Sequence, residues 1–193
     1  MSRTIQNAEQ KQNGIVGAAE TLFLQQGYGA TSMDQIAKEA GVTKQTVYRY
    51  FASKNELFAA VMRRVQEAKS EAYCFGSKTI DEELTGFASY LLSFHLQEQV
   101  LGLYRIMLTE AAQENLLTTF KNQGPQHVLK PLIEYLSQQT QLEEPAFSAQ
   151  MFATMILVPR NEMLMSKNKS MKEHTQKEHV IKVTTLFMKM IEV

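Results

Sequence analysis

Apolar side chains recur three and four residues apart along nearly the whole chain, while alternation with period two is almost absent. A half-buried strand cannot use that spacing, because its successive side chains point to opposite faces. A helix can, because positions i, i+3 and i+4 share one face. Glycine and proline, the residues that punctuate turn-rich chains, number only 9 and 4 among 193. The predicted fold is therefore all-α, and a hydrophobic content of 44% is enough to fill its core.

The first predicted helix covers residues 14–26, with Ile15, Ala18, Ala19, Leu22 and Phe23 on one face and Gly27 at the left-handed cap position. A second opens at Ser32, whose hydroxyl and the Gln35 side chain can cap each other's backbone, and it buries Met33, Ile36, Ala37 and Ala40. Gly41 stops it. After a three-residue turn a third helix, of about nine residues, opens with Thr43 as its cap. A fourth starts at Ser53, with Glu56 in the first turn, and carries Leu57, Phe58, Val61 and Val65 toward Ala72. From Ile80 the segments lengthen. Gly124-Pro125 marks a break, Pro159 is expected to kink or interrupt the apolar run 151–165, and Ser166 to His179 reads in part as a polar loop before a closing helix from Val180 to Ile191. The expected division is a three-helix headpiece, residues 1–54, and a C-terminal helical domain, residues 55–193, with the boundary inside the connecting helix at about 53–72.

A formal net charge of zero conceals an asymmetry. Residues 1–64 hold eight Lys/Arg against five acids, and the remainder twelve against fifteen. A basic front end suits a polyanion, although so small an excess also fits an ordinary solvated surface. The longest apolar stretch, residues 151–158, is too short for a bilayer, and neither end reads as a leader, so a cytoplasmic, nucleoid-associated protein without membrane partner is expected. The single cysteine, Cys74, reads as a small apolar filler. No Gly-rich phosphate loop, nucleophile elbow or His-Glu-x-x-His is present, and His174 and His179 stand five apart among lysines and glutamates. An enzyme, a metal site and a cofactor are not expected.

The chemistry concentrates in GVTKQTVYRYFASK, residues 41–54. Two helices joined by a tight glycine turn form a helix-turn-helix, whose second helix enters the major groove of DNA. Val42, Val47 and Phe51 can face Ile36, Ala40, Leu22 and Phe23, which turns Lys44, Gln45, Tyr48 and Arg49 outward. Lysine donates to guanine acceptors, a glutamine amide pairs with adenine, and an aromatic ring packs on the thymine methyl, so Lys44, Gln45 and Tyr48 are the candidate base readers. Thr31, Thr46, Tyr50 and Lys54, at helix starts or at the exit of the reading helix, are candidate phosphate contacts. Thr43 and Arg49 are less defined, Thr43 reading better as a cap. The competing reading is an ordinary solvated face with two half-buried tyrosines.

The run GYGATSMDQIAKEAGVTKQTVYRYFASKNELFAAV resembles the N-terminal signature of the TetR/AcrR family of bacterial transcriptional regulators nearly position for position. That resemblance implies a homodimer whose two headpieces read successive grooves of a palindromic operator. It places Lys44, Gln45 and Tyr48 at the family's base-reading positions and Thr31, Thr46, Tyr50 and Lys54 at its phosphate contacts, whereas Arg49 falls where the family varies. Leu103 to Leu136 is similar to the C-terminal domain of the AefR-like subgroup, although Ala111-Ala112-Gln113-Glu114 departs from its pattern. The function implied is a ligand-responsive repressor. The alternatives are an effector-independent architectural or division-linked DNA binder of the same fold, and an enzyme or interaction module that reuses it.

Eight of 11 methionines follow residue 65, and soft thioethers suit an adaptable cavity for a small, largely apolar effector. Phe87, Tyr90, Phe94, Tyr104, Met107, Phe152 and Met155 are candidate lining residues, with plain core packing as the competing role, and His95, Arg105, His127 and Arg160 are candidate polar anchors. Phe147, Met151, Met155, Leu186, Phe187 and Met190, on the helices after Pro145 and Val180, offer more apolar surface than one small domain needs. They are the candidate dimer interface.

Overall fold

The computed structural model describes residues 3–67, 73–114, 126–166 and 170–191. Its described residues form ten α-helices and no strand: α1 (Arg3–Gln26), α2 (Met33–Glu39), α3 (Lys44–Tyr50), α4 (Lys54–Glu67), α5 (Ile80–His95), α6 (Glu98–Glu114), α7 (Gln126–Gln139), α8 (Pro145–Ile156), α9 (Val158–Met165) and α10 (Glu173–Ile191). The chain divides into two compact units, Met1–Ala68 with Gly102–Gln123, and Lys69–Leu101 with Gly124–Val193. This differs from a simple cut near residue 54, because α4 stays with the first three helices and α6 joins them from Gly102 onward.

In the first unit α1 packs on α4 and α2, and α2 on α3. Gly27 at φ 87° and Gly41 at φ 65° take the left-handed conformation that ends α1 and α2, a conformation costly for residues with a Cβ. Ser32 and Gln35 form the reciprocal cap at the start of α2. Thr43 Oγ1 accepts from the Thr46 amide at the start of α3, which is two residues shorter than its sequence suggests because Phe51 leaves the helix in an extended conformation. Ile15, Ala19, Phe23, Tyr28, Ile36, Val47, Leu57 and Val61 fill the core. At the helix crossing, Arg64 lies over Gly17, donates to the Asn13 carbonyl at 3.3 Å and pairs with the buried Glu20 carboxylate at 3.3 Å. A Cβ at Gly102 would meet only the tip of the Leu24 side chain.

In the second unit α10 lies against α5 and α8, and α7 against α8. Leu84, Phe87, Leu91, Leu132, Leu136, Phe152, Ile156 and Phe187 form its core. The run expected to break at Pro159 does so: α8 ends at Ile156, and Pro159 sits in the first turn of α9, where its missing N–H has no partner to lose. The last helix begins at Glu173, seven residues ahead of the expected Val180, with Glu173 to Lys177 (2.7 Å) and His174 to Glu178 (3.4 Å) paired one turn apart. His179 Nε2–H donates to the Met155 and Ile156 carbonyls, both at 3.2 Å, and so satisfies the open end of α8. Gly124-Pro125 and the end of the connecting segment near Ala72 lie outside the described residues, as does the side chain of His127.

Removing Arg64 leaves Glu20 with less compensation in an apolar surround. Because Arg64 itself is partly solvated, Arg64→Ala is expected to lower stability by about 1–3 kcal/mol, less than for a fully buried pair. The urea midpoint of the variant measures it; an unchanged midpoint would show that water replaces the guanidinium at no cost.

Candidate nucleic-acid interface

The presentation of α3 follows from one residue. Val47 is fully buried, and Phe51, one turn on, is buried as well, so the opposite side of this seven-residue helix must face outward. That side carries Lys44, Gln45, Tyr48 and Arg49, all exposed, with Tyr48 showing 46% of its surface. The structure therefore brings the three candidate base readers onto one short exposed face. Lys44 is engaged there with Asp34 of α2, at 2.9 Å, and that hydrogen-bonded carboxylate raises the lysine pKa above its ordinary value. Both partners are exposed, so the pair is readily exchanged for another anion.

Thr43 caps α3, its hydroxyl also meeting that of Thr46 at 2.9 Å. Arg49 lies over the Tyr50 ring, 5.1 Å from its centroid, which fixes both side chains at the exit of the helix. Two of the candidate phosphate contacts have work inside the protein. Thr31 is only 2% exposed; its hydroxyl donates to the Gly27 carbonyl at 2.7 Å and accepts from Gln26 Nε2. The reading of Thr31 as a side-chain phosphate contact is corrected on that ground: the hydroxyl stitches the α1–α2 loop. Lys54 donates to the Tyr28 and Thr31 carbonyls at 2.8 and 3.0 Å, with its ammonium 4.2 Å from the Tyr28 ring centroid. Sequence reasoning missed this bracing role, because a lysine at the start of a helix looks the same whether it faces solvent or a carbonyl.

Elsewhere the candidates scatter. Of those named for a pocket, Tyr104 and Met107 belong to the first unit and Phe87, Tyr90, Phe94, Phe152 and Met155 to the second. Phe152 is fully buried against Phe187, their ring centroids 4.6 Å apart, so both are core residues; the placing of Phe187 in an interface is corrected. Phe147, Leu186 and Met190 are exposed, Phe147 by 58%, whereas Met151 and Met155 are half-buried. Cys74 is exposed, not a core filler. Phe87 and Tyr90 each pack on Tyr73, at 5.7 and 6.0 Å between ring centroids. Sequence reasoning missed Tyr73, Phe75, Glu83 and Tyr135 in this aromatic cluster; the one signal was two aromatic residues flanking Cys74. His95 is buried against Phe94 and near Arg160; burial first, and then that cation, push its pKa down to about 3. No group of His, Cys, Asp and Glu among the described residues is arranged to hold a metal ion, and no described helix is long and apolar enough to cross a membrane.

Residues 15–61 match the model of bacterial regulatory proteins of the tetR family, and residues 82–190 that of the AefR-like transcriptional repressor C-terminal domain. Among curated proteins the chain is 41% identical over 56 residues to the transcriptional activator FasR of Mycolicibacterium smegmatis, which is 29% of this chain and 26% of that protein. It is 41% identical over 59 residues to the transcriptional regulator AcrR of Shigella flexneri, 31% of this chain and 27% of that protein. The aligned part thus spans about a quarter of the length of these relatives. Solved structures align over nearly the full length: a chain from Mesorhizobium loti assigned to the TetR family (TM-score 0.84, 24% identity, 98% of both chains) and the flavonoid-responsive regulator FrrA (TM-score 0.79, 27% identity, 94% of this chain and 97% of that one).

The depressed pKa of His95 has a pH signature. The unfolded chain takes up this proton below its ordinary value near 6.5, the folded chain only near 3, so the stabilisation is complete above 6.5 and is lost as pH falls toward 3. His95→Gln is expected to flatten that part of the stability profile, read as the difference between its urea midpoints at pH 7 and pH 4.5 compared with the same difference in the wild type.

Proposed function

Because the chain belongs to the tetR family of bacterial regulatory proteins, with a C-terminal domain of the AefR-like repressor type, we propose that it is a ligand-responsive repressor that binds a palindromic operator as a homodimer. The family is one of DNA-binding transcriptional regulators, not of enzymes. The observation that carries the proposal is the exposed face of α3, polar and basic, opposite a fully buried Val47. Lys44, Gln45 and Tyr48 read bases from that face, and Thr46 and Tyr50, with Arg49 stacked on the latter, meet the backbone. Lys54 serves chiefly by holding the start of α4 on the α1–α2 loop, its remaining N–H being available to a phosphate.

The dimer reading rests on the exposed Phe147, Leu186 and Met190 of the second unit, with Met151 half-buried beside them. Phe147 and Met151 lie one turn apart on α8, Leu186 and Met190 one turn apart on α10, and an apolar stripe of that kind is normally covered. A two-fold pairing brings two copies of α3 to half-sites one helical turn of DNA apart, about 34–36 Å. Responsiveness is supported by the likeness to FrrA, a flavonoid-responsive regulator, at 27% identity. NalD of Pseudomonas aeruginosa, the secondary repressor of a multidrug efflux pump, adds only the fold at 24% identity. An effector acts by binding one headpiece separation better than the other. The packing of Phe152 on Phe187 favours the second reading, an effector-independent DNA binder, to the extent that this part of the core is filled.

Selection of bound genomic fragments identifies the operator and tests the dimer through its symmetry; asymmetric, unpaired sites would contradict it. On that operator, Gln45→Ala and Tyr48→Ala are expected to weaken binding about tenfold or more and to relax the choice of base, whereas Lys54→Ala weakens all sequences alike. Affinity is also expected to fall steeply with salt, since phosphate contacts release counterions. Uniform loss across sequences for all three variants would remove the assigned division of labour.

A further inference from the structure

In the second unit, the irregular segment 73–79 ahead of α5 sends two aromatic rings inward, Tyr73 and Phe75. Phe75 lies nearly parallel to Tyr135, with centroids 4.3 Å apart at 15°, and to Phe87, 5.5 Å apart at 27°. Its neighbours Cys74, Gly76, Ser77, Lys78 and Thr79 are exposed, so Phe75 enters the unit as a side chain on a surface strap. The strap is tied down largely through one group. The carboxylate of Glu83, a residue only 2% exposed, accepts from the Gly76 amide (2.9 Å), the Lys78 amide (3.3 Å) and the Tyr73 hydroxyl (3.2 Å), and that hydroxyl also lies 3.2 Å from the Glu83 carbonyl. Desolvation first, then the charge of Glu83, push the Tyr73 phenol up to about 12, so it remains a donor. Tyr73 crosses α5 at Gly86, where any Cβ would collide with its hydroxyl.

A flat ring stacked on aromatic walls, beside a buried carboxylate that needs donors, is the way a small aromatic ligand is held. We propose that Phe75 is a resident competitor: its place against Tyr135 and Phe87 is a binding site for a planar aromatic compound bearing a hydroxyl or amine donor, which enters as the strap leaves. The donor requirement follows from Glu83. Lifting the strap strips the buried carboxylate of its partners, a state costly enough that the incoming molecule must supply a hydrogen of its own. This names the ligand class for the ligand-responsive reading above and rests on it for its regulatory meaning, while the site itself is tested by direct binding.

The probe is 1-naphthol, titrated calorimetrically into the full chain, with naphthalene as the analogue lacking the donor. Gly86→Ala leaves both ring walls in place and is accepted by a helix, yet evicts Tyr73; Phe75→Ala removes the competitor itself. Each is expected to bind 1-naphthol about tenfold more tightly than the wild type, since a site occupied by its own side chain binds in proportion to the fraction that is open. Tyr135→Ala added to Gly86→Ala is expected to abolish the gain, and naphthalene to bind worse than 1-naphthol throughout. A fluorophore on Cys74, the chain's one cysteine, is expected to report strap release on adding 1-naphthol. Equal affinity of wild type and both variants, or a gain that survives Tyr135→Ala, would falsify the site. If the gains appear but operator affinity ignores 1-naphthol, the site stands and the ligand-responsive reading fails.

Discussion

Tyr28 is the tie on which the first unit depends. Its ring packs against Phe23 of α1 at 5.3 Å and Phe58 of α4 at 5.5 Å, its hydroxyl donates to Asn55, and its carbonyl and ring face both receive Lys54. One side chain thus joins the end of α1, the loop after it and the start of α4. The geometry depends on Gly27, whose positive φ turns the chain so that the next residue points back into the core. With α1 and α4 fixed, α2 lies on α1 and α3 on α2, and Val47 determines which side of α3 is left facing outward. A reading surface of seven residues is too short to be stable alone, so its order derives from the packing of the helices behind it.

This explains a pattern in the polar residues around the reading helix. Those that set backbone geometry (Thr31, Thr43, Ser32, Gln35) are engaged in short local hydrogen bonds, whereas Gln45 and Tyr48 stand exposed on the outward face. A hydroxyl that holds a loop in place gives specificity indirectly, by fixing where a neighbouring side chain stands. A hydroxyl that touches DNA gives it directly. Position in the motif does not separate the two; burial does, and Thr31 falls on the first side of that line.

The helices and caps of the headpiece were legible because their causes are local. Gly27, Ser32, Gly41 and Thr43 act within four residues of themselves, and the sequence displays that range directly. What was illegible depends on distant partners. Lys54 meets Tyr28 and Thr31 across more than twenty residues, and His179 satisfies the end of α8 from a segment that reads as a polar loop. Phe187 and Leu186 are equally apolar neighbours, yet Phe187 packs on Phe152 and Leu186 faces outward; only the rotation of α10 against α5 and α8 separates them. Three acids stand in the first turn of α5, and Asp81 and Glu82 suit the start of a helix, with the Thr79 amide holding the Glu82 carboxyl below its usual range. Glu83 differs by facing inward, one residue further around the helix.

Placing a regulatory ligand in competition with the protein's own side chain changes the energetics of switching. A ligand that merely prefers one of two packed states must discriminate between them by contact chemistry, and reversing a 1:99 ratio demands about a 10⁴-fold preference. That is difficult to obtain from small differences in apolar packing. Two rings cannot occupy one place against Tyr135 and Phe87, so under the proposed competition the strap-in state has essentially no affinity for the ligand at that site. Discrimination is then supplied by exclusion, and the amplitude of the response is limited instead by how firmly the strap is held. That firmness resides in the hydrogen bonds to Glu83 and the stacking of Phe75, interactions whose strength a few substitutions would retune without rebuilding the core.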